Sequence, residues 1–194
     1  MPTIVHEFAW PDRVVVGTVG LPGSRTFYLQ VRTGAQIVSI ALEKQQSALL
    51  AEKIDEMLDQ LMSTEGNPFS IPTITPVELV DNEPLDQPVA EEFRTGGMSL
   101  GWDPSTVQVV IEAYPIREDD ADIDDADFDD DDVDVLEALT REPAEMVLIR
   151  MPVGTARAFA KRTREVVGAG RPLCPLCGNP IDLDGHVCSL PGSP

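Results

Sequence analysis

Near its C-terminus the chain reads Cys174-Pro-Leu-Cys177-Gly178 and then His186-Val-Cys188, so all three cysteines and one of the two histidines fall within fifteen residues. Those residue types at that spacing are metal ligands. Two thiolates separated by two residues can grip one ion, and Gly178 permits the turn that brings backbone N–H groups toward sulfur. His186 and Cys188 stand at i and i+2, on one side of an extended segment, and complete a tetrahedral set if Asp184-Gly185 turns the chain. The spacing predicts a structural Zn2+ held by Cys174, Cys177, His186 and Cys188. Metal binding would supply most of the order in a tail with so little apolar mass. Unmetallated reduced thiols are the alternative reading, and a redox C-x-x-C pair would need a βαβ setting that is missing here.

Other chemistry is less sharply marked. Glu43, Lys44, Gln45 and Gln46 form a polar cluster at the start of an expected helix, where free N–H groups can hold an anion or simply be capped. Arg94, Trp102 and Asp103 add a planar donor, an aromatic face and a carboxylate, which packing and turn chemistry explain equally well. Arg157, Lys161 and Arg164 follow one another at i, i+4 and i+7, an electropositive stripe that reads as a solvated helix face or as a partner surface. Gly17, Gly20 and Gly23 lead into another strand rather than a helix, so hairpin turns account for them better than a phosphate loop does. The cysteines are claimed by metal, and His6 sits in an N-terminal segment far from any marked serine, which leaves little material for a nucleophilic mechanism.

The elements that must carry these residues alternate in period. Val14–Val16, Thr26–Val31 and Ile37–Leu42 are β-rich and separated by turn signals. From Lys44 to Met62 the period becomes helical, with Leu50, Ile54, Met57, Leu58 and Leu61 on one stripe. Residues 64–88 hold Pro68, Pro72, Pro76, Pro84 and Pro88, which excludes a helix and predicts an extended connector. Glu92–Leu100, Val107–Ala113 and Met146–Met151 then read as strands, and Thr155–Gly168 as a second helix. The order strand, strand, strand, helix occurs twice. Internal duplication and chance similarity of two strand-to-helix junctions both remain open on these grounds.

The fold expected is therefore α+β, a sheet of about six strands with two covering helices over residues 1–170, followed by a zinc-knuckle tail over 171–194. Between the last two strands lies an acidic run. Glu118 to Asp134 holds twelve acidic residues and no basic one, so more than half of the net charge of −20 is local. Asp120-x-Asp122-x-Asp124 opens like a calcium loop, but Asp125 replaces the turn glycine and Asp131 the bidentate glutamate, which excludes an EF-hand. A solvated, disordered loop is expected instead, with folding back over the basic helix as another option.

The acidity argues against a general nucleic-acid or anionic-membrane surface. No apolar stretch approaches the roughly 18 residues of a membrane span, and no secretory leader is recognisable. With cysteines in ligand spacing rather than a disulfide framework, a cytoplasmic setting is expected.

Several segments carry a resemblance. Val16-Gly-Thr-Val-Gly-Leu-Pro-Gly-Ser-Arg-Thr-Phe-Tyr-Leu-Gln30, Ala41-Leu-Glu-Lys-Gln-Gln46, Glu91-Glu-Phe-Arg94 with Leu100-Gly-Trp-Asp103, and Gly170-Arg-Pro-Leu-Cys-Pro-Leu-Cys-Gly178 with Asp184-Gly-His-Val-Cys188 are similar to the actinobacterial family called domain of unknown function 3090. The resemblance spans nearly the whole chain and implies no particular activity, substrate or catalytic residue. The dense aspartate run looks longer than the family's variable acidic segment.

The functional expectation is a zinc-binding protein that acts by protein contact, non-enzymatically, with the second helix and tail facing a protein partner. An enzyme or small-ligand binder would instead unite Glu43–Gln46 with Arg94, Trp102 and Asp103 around a pocket. Nucleic-acid binding through the basic helix and zinc tail is the third reading.

Overall fold

The computed structural model describes residues 4–21, 23–116 and 145–170. The expected acidic loop, 118–134, and the expected zinc tail, 171–194, lie outside the described residues. What is described is α+β, with seven strands in one mixed sheet and two helices. The strands are β1 (Ile4–Ala9), β2 (Arg13–Val19), β3 (Thr26–Thr33), β4 (Gln36–Leu42), β5 (Glu91–Asp103), β6 (Gln108–Pro115) and β7 (Glu145–Pro152). The helices are α1 (Lys44–Met62) and α2 (Val153–Gly168). A single 3-10 turn, Val77–Leu79, interrupts the otherwise irregular connector.

The strand beyond the expected six is β1, which carries His6. It pairs in parallel with β7, Ile4 opposite Glu145 through Ala9 opposite Arg150. Six residues with one buried side chain, Phe8, give a weak alternation. The strand is made by its partner rather than by its own pattern.

Spatial order along the sheet is β1-β7-β6-β5-β4-β3-β2. The two terminal positions are nonetheless one piece of chain. Trp10 donates its N–H to the Arg150 carbonyl at 3.2 Å, and Asp12 donates to the Arg32 carbonyl at 2.9 Å, so pairing passes from β7 to β3 across a kink. Trp10 takes a left-handed conformation there, φ 58°. β5 does the same within a single strand: its first residues pair in parallel with β4, and from Thr95 onward it pairs antiparallel with β6. Register shifts at Ser39/Ala41 and Thr95/Gly97 mark the change of partner.

The order βββα occurs twice, as β2-β3-β4-α1 and β5-β6-β7-α2, with similar pairing and burial. Val38, Ile40 and Leu42 of β4 face Val31, Leu29 and Phe27 of β3. Val147, Ile149 and Met151 of β7 face Ala113, Ile111 and Val109 of β6 in the same arrangement. All twelve side chains are buried. Counted from Leu42 and Met151, the buried helix residues Ser47, Leu50, Ala51 and Ile54 match Ala156, Phe159, Ala160 and Thr163, which are buried too. Both apolar sheet faces and both helix stripes join one core cluster.

The opposite face of β2–β4 is covered by the connector. Leu85 packs against Gly17, where an added Cβ would lie 2.6 Å from Leu85 Cγ. Gln30 donates to the Asp86 carbonyl at 3.1 Å and accepts the Asp86 N–H at 2.8 Å, so a buried amide extends the sheet's hydrogen bonding to the connector. Gly17 is thus required by close approach, its backbone being ordinary strand. Replacing Gly17 with Val is expected to destabilise the protein by about 1–3 kcal/mol through overpacking. Adding Leu85→Ala should recover part of that loss. Urea denaturation midpoints of the two single variants and the double variant check the coupling.

Candidate functional site

The polar junction between β4 and α1 is real as a structural device. Gln46 accepts the Glu43 N–H at 2.8 Å, capping the helix, and donates to the Thr95 carbonyl at 3.1 Å, which fixes the helix start to β5. Arg94 reaches Glu43 at 2.7 Å. Lys44 and Gln45 are exposed on the first turn. Parallel pairing of Ala41 with Arg94 explains the meeting, since it sets the end of β4 beside the start of β5.

Trp102 and Asp103 do not join this group. They lie at the other end of β5, eight strand residues from Arg94, roughly 25 Å at about 3.3 Å per residue. Trp102 meets Phe69 edge to face, ring centroids 5.1 Å apart. Asp103 accepts from the Ser105 hydroxyl at 2.6 Å and the Ser105 N–H at 2.9 Å, and these bonds lower its pKa to about 2. The expected pocket uniting all seven residues therefore does not form; one end is a helix cap and the other a turn.

The basic stripe of α2 also differs from expectation. Arg157 is buried, donating to Asp55 at 2.9 Å, Asp59 at 2.7 Å and the Pro72 carbonyl at 3.3 Å. Arg164 pairs with Asp55, and Lys161 with Glu165 at 2.6 Å. Arg157 and Arg164 thus pair across to α1, whereas Lys161 pairs within α2, and only Arg157 leaves the solvated face. Helical spacing put the three cations on one side correctly, but it carries no information about which neighbour that side meets.

A second seam holds the connector. Arg13 grips Asp81 with two nitrogens, at 2.6 and 3.0 Å, and reaches the carbonyls of Glu83 and Pro84, both at 2.9 Å. Arg162 on α2 donates to the Val16 carbonyl at 3.1 Å, to Asp81 Oδ1 at 2.6 Å and to the Glu83 carbonyl at 2.6 Å. Both guanidiniums line a cavity of about 340 Å3 between β2, the connector and α2. Hydrogen bonding to Arg13 holds the Asp81 carboxyl below the usual carboxylate range, whereas burial pushes Arg162 below its ordinary value.

The Cys174, Cys177, His186 and Cys188 ligand set lies outside the described residues, as does the rest of the tail. Its point of departure is described. Arg25, from the turn before β3, donates to the carbonyls of Ala169 at 2.9 Å and Val166 at 3.2 Å. A cation on the last carbonyls of α2 complements the helix dipole and fixes where the chain leaves the body.

One cluster escaped the sequence reading. His6 Nε2 lies 2.8 Å from Glu145 Oε1 and 3.7 Å from Glu92 Oε1. The three residues come from β1, β7 and β5, so only the strand order could bring them together. The sole local signal was a histidine within an alternating Ile4-Val-His-Glu-Phe run.

The family model described as "Protein of unknown function (DUF3090)" matches residues 6–188. No curated protein and no solved structure matches the chain.

Two outcomes follow from the arginine seams. Arg157→Ala leaves Asp55 buried without its main partner and is expected to cost about 3 kcal/mol. The Arg157→Ala/Asp55→Asn pair should lose less than the sum of the single losses by chemical denaturation. The depressed Asp81 carboxyl contributes stability in full above about pH 4, where the unfolded group is ionised. That contribution is lost as pH falls toward the folded value, so Asp81→Asn should flatten the acid limb of a melting-temperature profile while lowering the plateau.

Proposed function

The chain belongs to the DUF3090 family, a membership that names no reaction, and on that footing we propose that it is a zinc-binding, non-enzymatic protein-interaction or regulatory module. The observation that carries this reading is the spacing Cys174-x-x-Cys177 with His186-x-Cys188, which matches the four tetrahedral ligands of a closed structural site. A closed site organises chain rather than activating water. Thiolate ligands and an imidazole favour Zn2+ over Mg2+ or Ca2+, and a short tail without an apolar core depends on such an ion for its order.

Two features of the described body support the same reading. Arg25 holds the last carbonyls of α2, so a knob built on the following residues would stand on a rigid base. The guanidiniums of Arg157, buried, and of Arg13 and Arg162, half-buried, all engage carboxylates and carbonyls of the body, which assigns them to holding it together. The partner surface in this reading is the zinc tail, not the α2 stripe. No helix among the described residues is long and apolar enough to cross a membrane.

The test is metal content read through thiol chemistry. Purified full-length protein should release one equivalent of Zn2+ on titration with an organomercurial, and the Cys174→Ser/Cys177→Ser variant should release none. Partners captured from the native cell by the intact chain should be lost with that variant. Thiol titration of folded protein that liberates no zinc overturns the proposal.

A further inference from the structure

β1, β5 and β7 run in the same direction and begin at the same end of the sheet, because β1 pairs parallel with β7 while β5 and β7 each pair antiparallel with β6. Their first residues converge. Glu145 opens β7, Glu92 is second in β5 and His6 third in β1. We propose that His6, Glu92 and Glu145 form a binding site for a divalent transition-metal ion, separate from the cysteine tail.

The geometry suits one ion. The three ligand atoms all lie within 4.8 Å of one another, with His6 Nε2 2.8 Å from Glu145 and 3.7 Å from Glu92. An ion with bonds of about 2.0–2.2 Å sets neighbouring ligand atoms roughly 3–3.5 Å apart, so small side-chain adjustments suffice. Each ligand sits on a strand whose neighbours fix its backbone, which limits how far the three can drift.

Charge points the same way. Glu92 and Glu145 have no Lys or Arg partner among the described residues; the His6 imidazole is the one basic side chain there within reach of either. Other carboxylates of the body do have such partners, Glu43 with Arg94 and Glu7 with Arg150.

The ligand types narrow the metal. An imidazole with two carboxylates suits Zn2+, Mn2+ or Fe2+; it is too nitrogen-rich for a dedicated Ca2+ or Mg2+ cage and lacks the thiolate that selects Cu(I). Three protein ligands leave coordination positions for water, the pattern of an open rather than a closed site. Side-chain exposure of 19% for His6, 22% for Glu145 and 42% for Glu92 allows entry from the Glu92 side.

The experiment removes the cysteines from consideration. Full-length Cys174→Ser/Cys177→Ser/Cys188→Ser protein, stripped of metal, is titrated with Mn2+ and separately with Zn2+, followed by electron paramagnetic resonance of free Mn2+ and by calorimetry. One saturable equivalent is expected. His6→Ala or Glu145→Gln in the same background should weaken it at least tenfold, while Val5→Ala, on an exposed neighbour, should leave it unchanged. Circular dichroism confirms the fold of each variant, and wild-type protein with its thiols blocked by a mercurial should retain the same equivalent if the cysteine-free variant folds poorly. No saturable uptake by folded protein, or uptake indifferent to His6 and Glu145, assigns the triad to a plain histidine–carboxylate contact and overturns the proposal. Because thiols are absent or blocked throughout, failure here is independent of the zinc-tail reading.

Discussion

Two strands that change partners hold this molecule together. β5 begins beside β4 and ends beside β6, and the β1–β2 segment begins beside β7 and ends beside β3. A sheet built from two antiparallel triplets would otherwise present four terminal edges, each a row of unpaired backbone groups. Bending one strand across each junction joins the triplets in parallel pairing and continues the ladder. The kink at Trp10 and the register shifts in β4 and β5 are the local cost of that continuity.

Placement of the helices follows from it. Each helix leaves the last strand of its triplet almost at once, α1 after the single residue Glu43 and α2 directly after Pro152, so neither has freedom to choose its side of the sheet. Matching buried positions in the two helices then pack against matching apolar faces. Where the helices meet one another, the contact is not apolar throughout. Asp55, Asp59, Arg157 and Arg164 cross the seam, and Arg13, Asp81 and Arg162 fasten the proline-rich connector over β2. Multiple hydrogen bonds per guanidinium offset the desolvation that such burial imposes.

The same topology separates the two metal readings. Strand beginnings converge at one end of the sheet and gather an imidazole and two carboxylates, harder ligands for an open site. The cysteines proposed as ligands follow α2 in sequence, after carbonyls that Arg25 holds against the body. One proposed site is made by tertiary proximity and the other by local spacing, so they differ in chemistry and in dependence on the fold.

That difference also describes what could be read before any coordinates. Periodicity located β2–β4, both helices and the later strands, because alternation of two and of 3.6 is written directly in side-chain order. The proline spacing identified the connector, and the doubled order of elements raised the repeat that the matched registers display. Local pattern misplaced Arg157, treated as solvated, since helical spacing names a face without naming what covers it. It grouped Trp102 and Asp103 with Arg94, since strand length separates residues that lie near one another in sequence. It passed over β1 and His6, since a short strand with one buried residue owes its existence to β7. By itself, then, the sequence determined the elements, their order and the local ligand spacing of the tail, all properties of neighbouring residues. Tertiary structure alone decided the closure through bent strands, the arginine seams and the His6, Glu92, Glu145 cluster, because each depends on contacts between segments whose separation along the chain leaves no periodic trace.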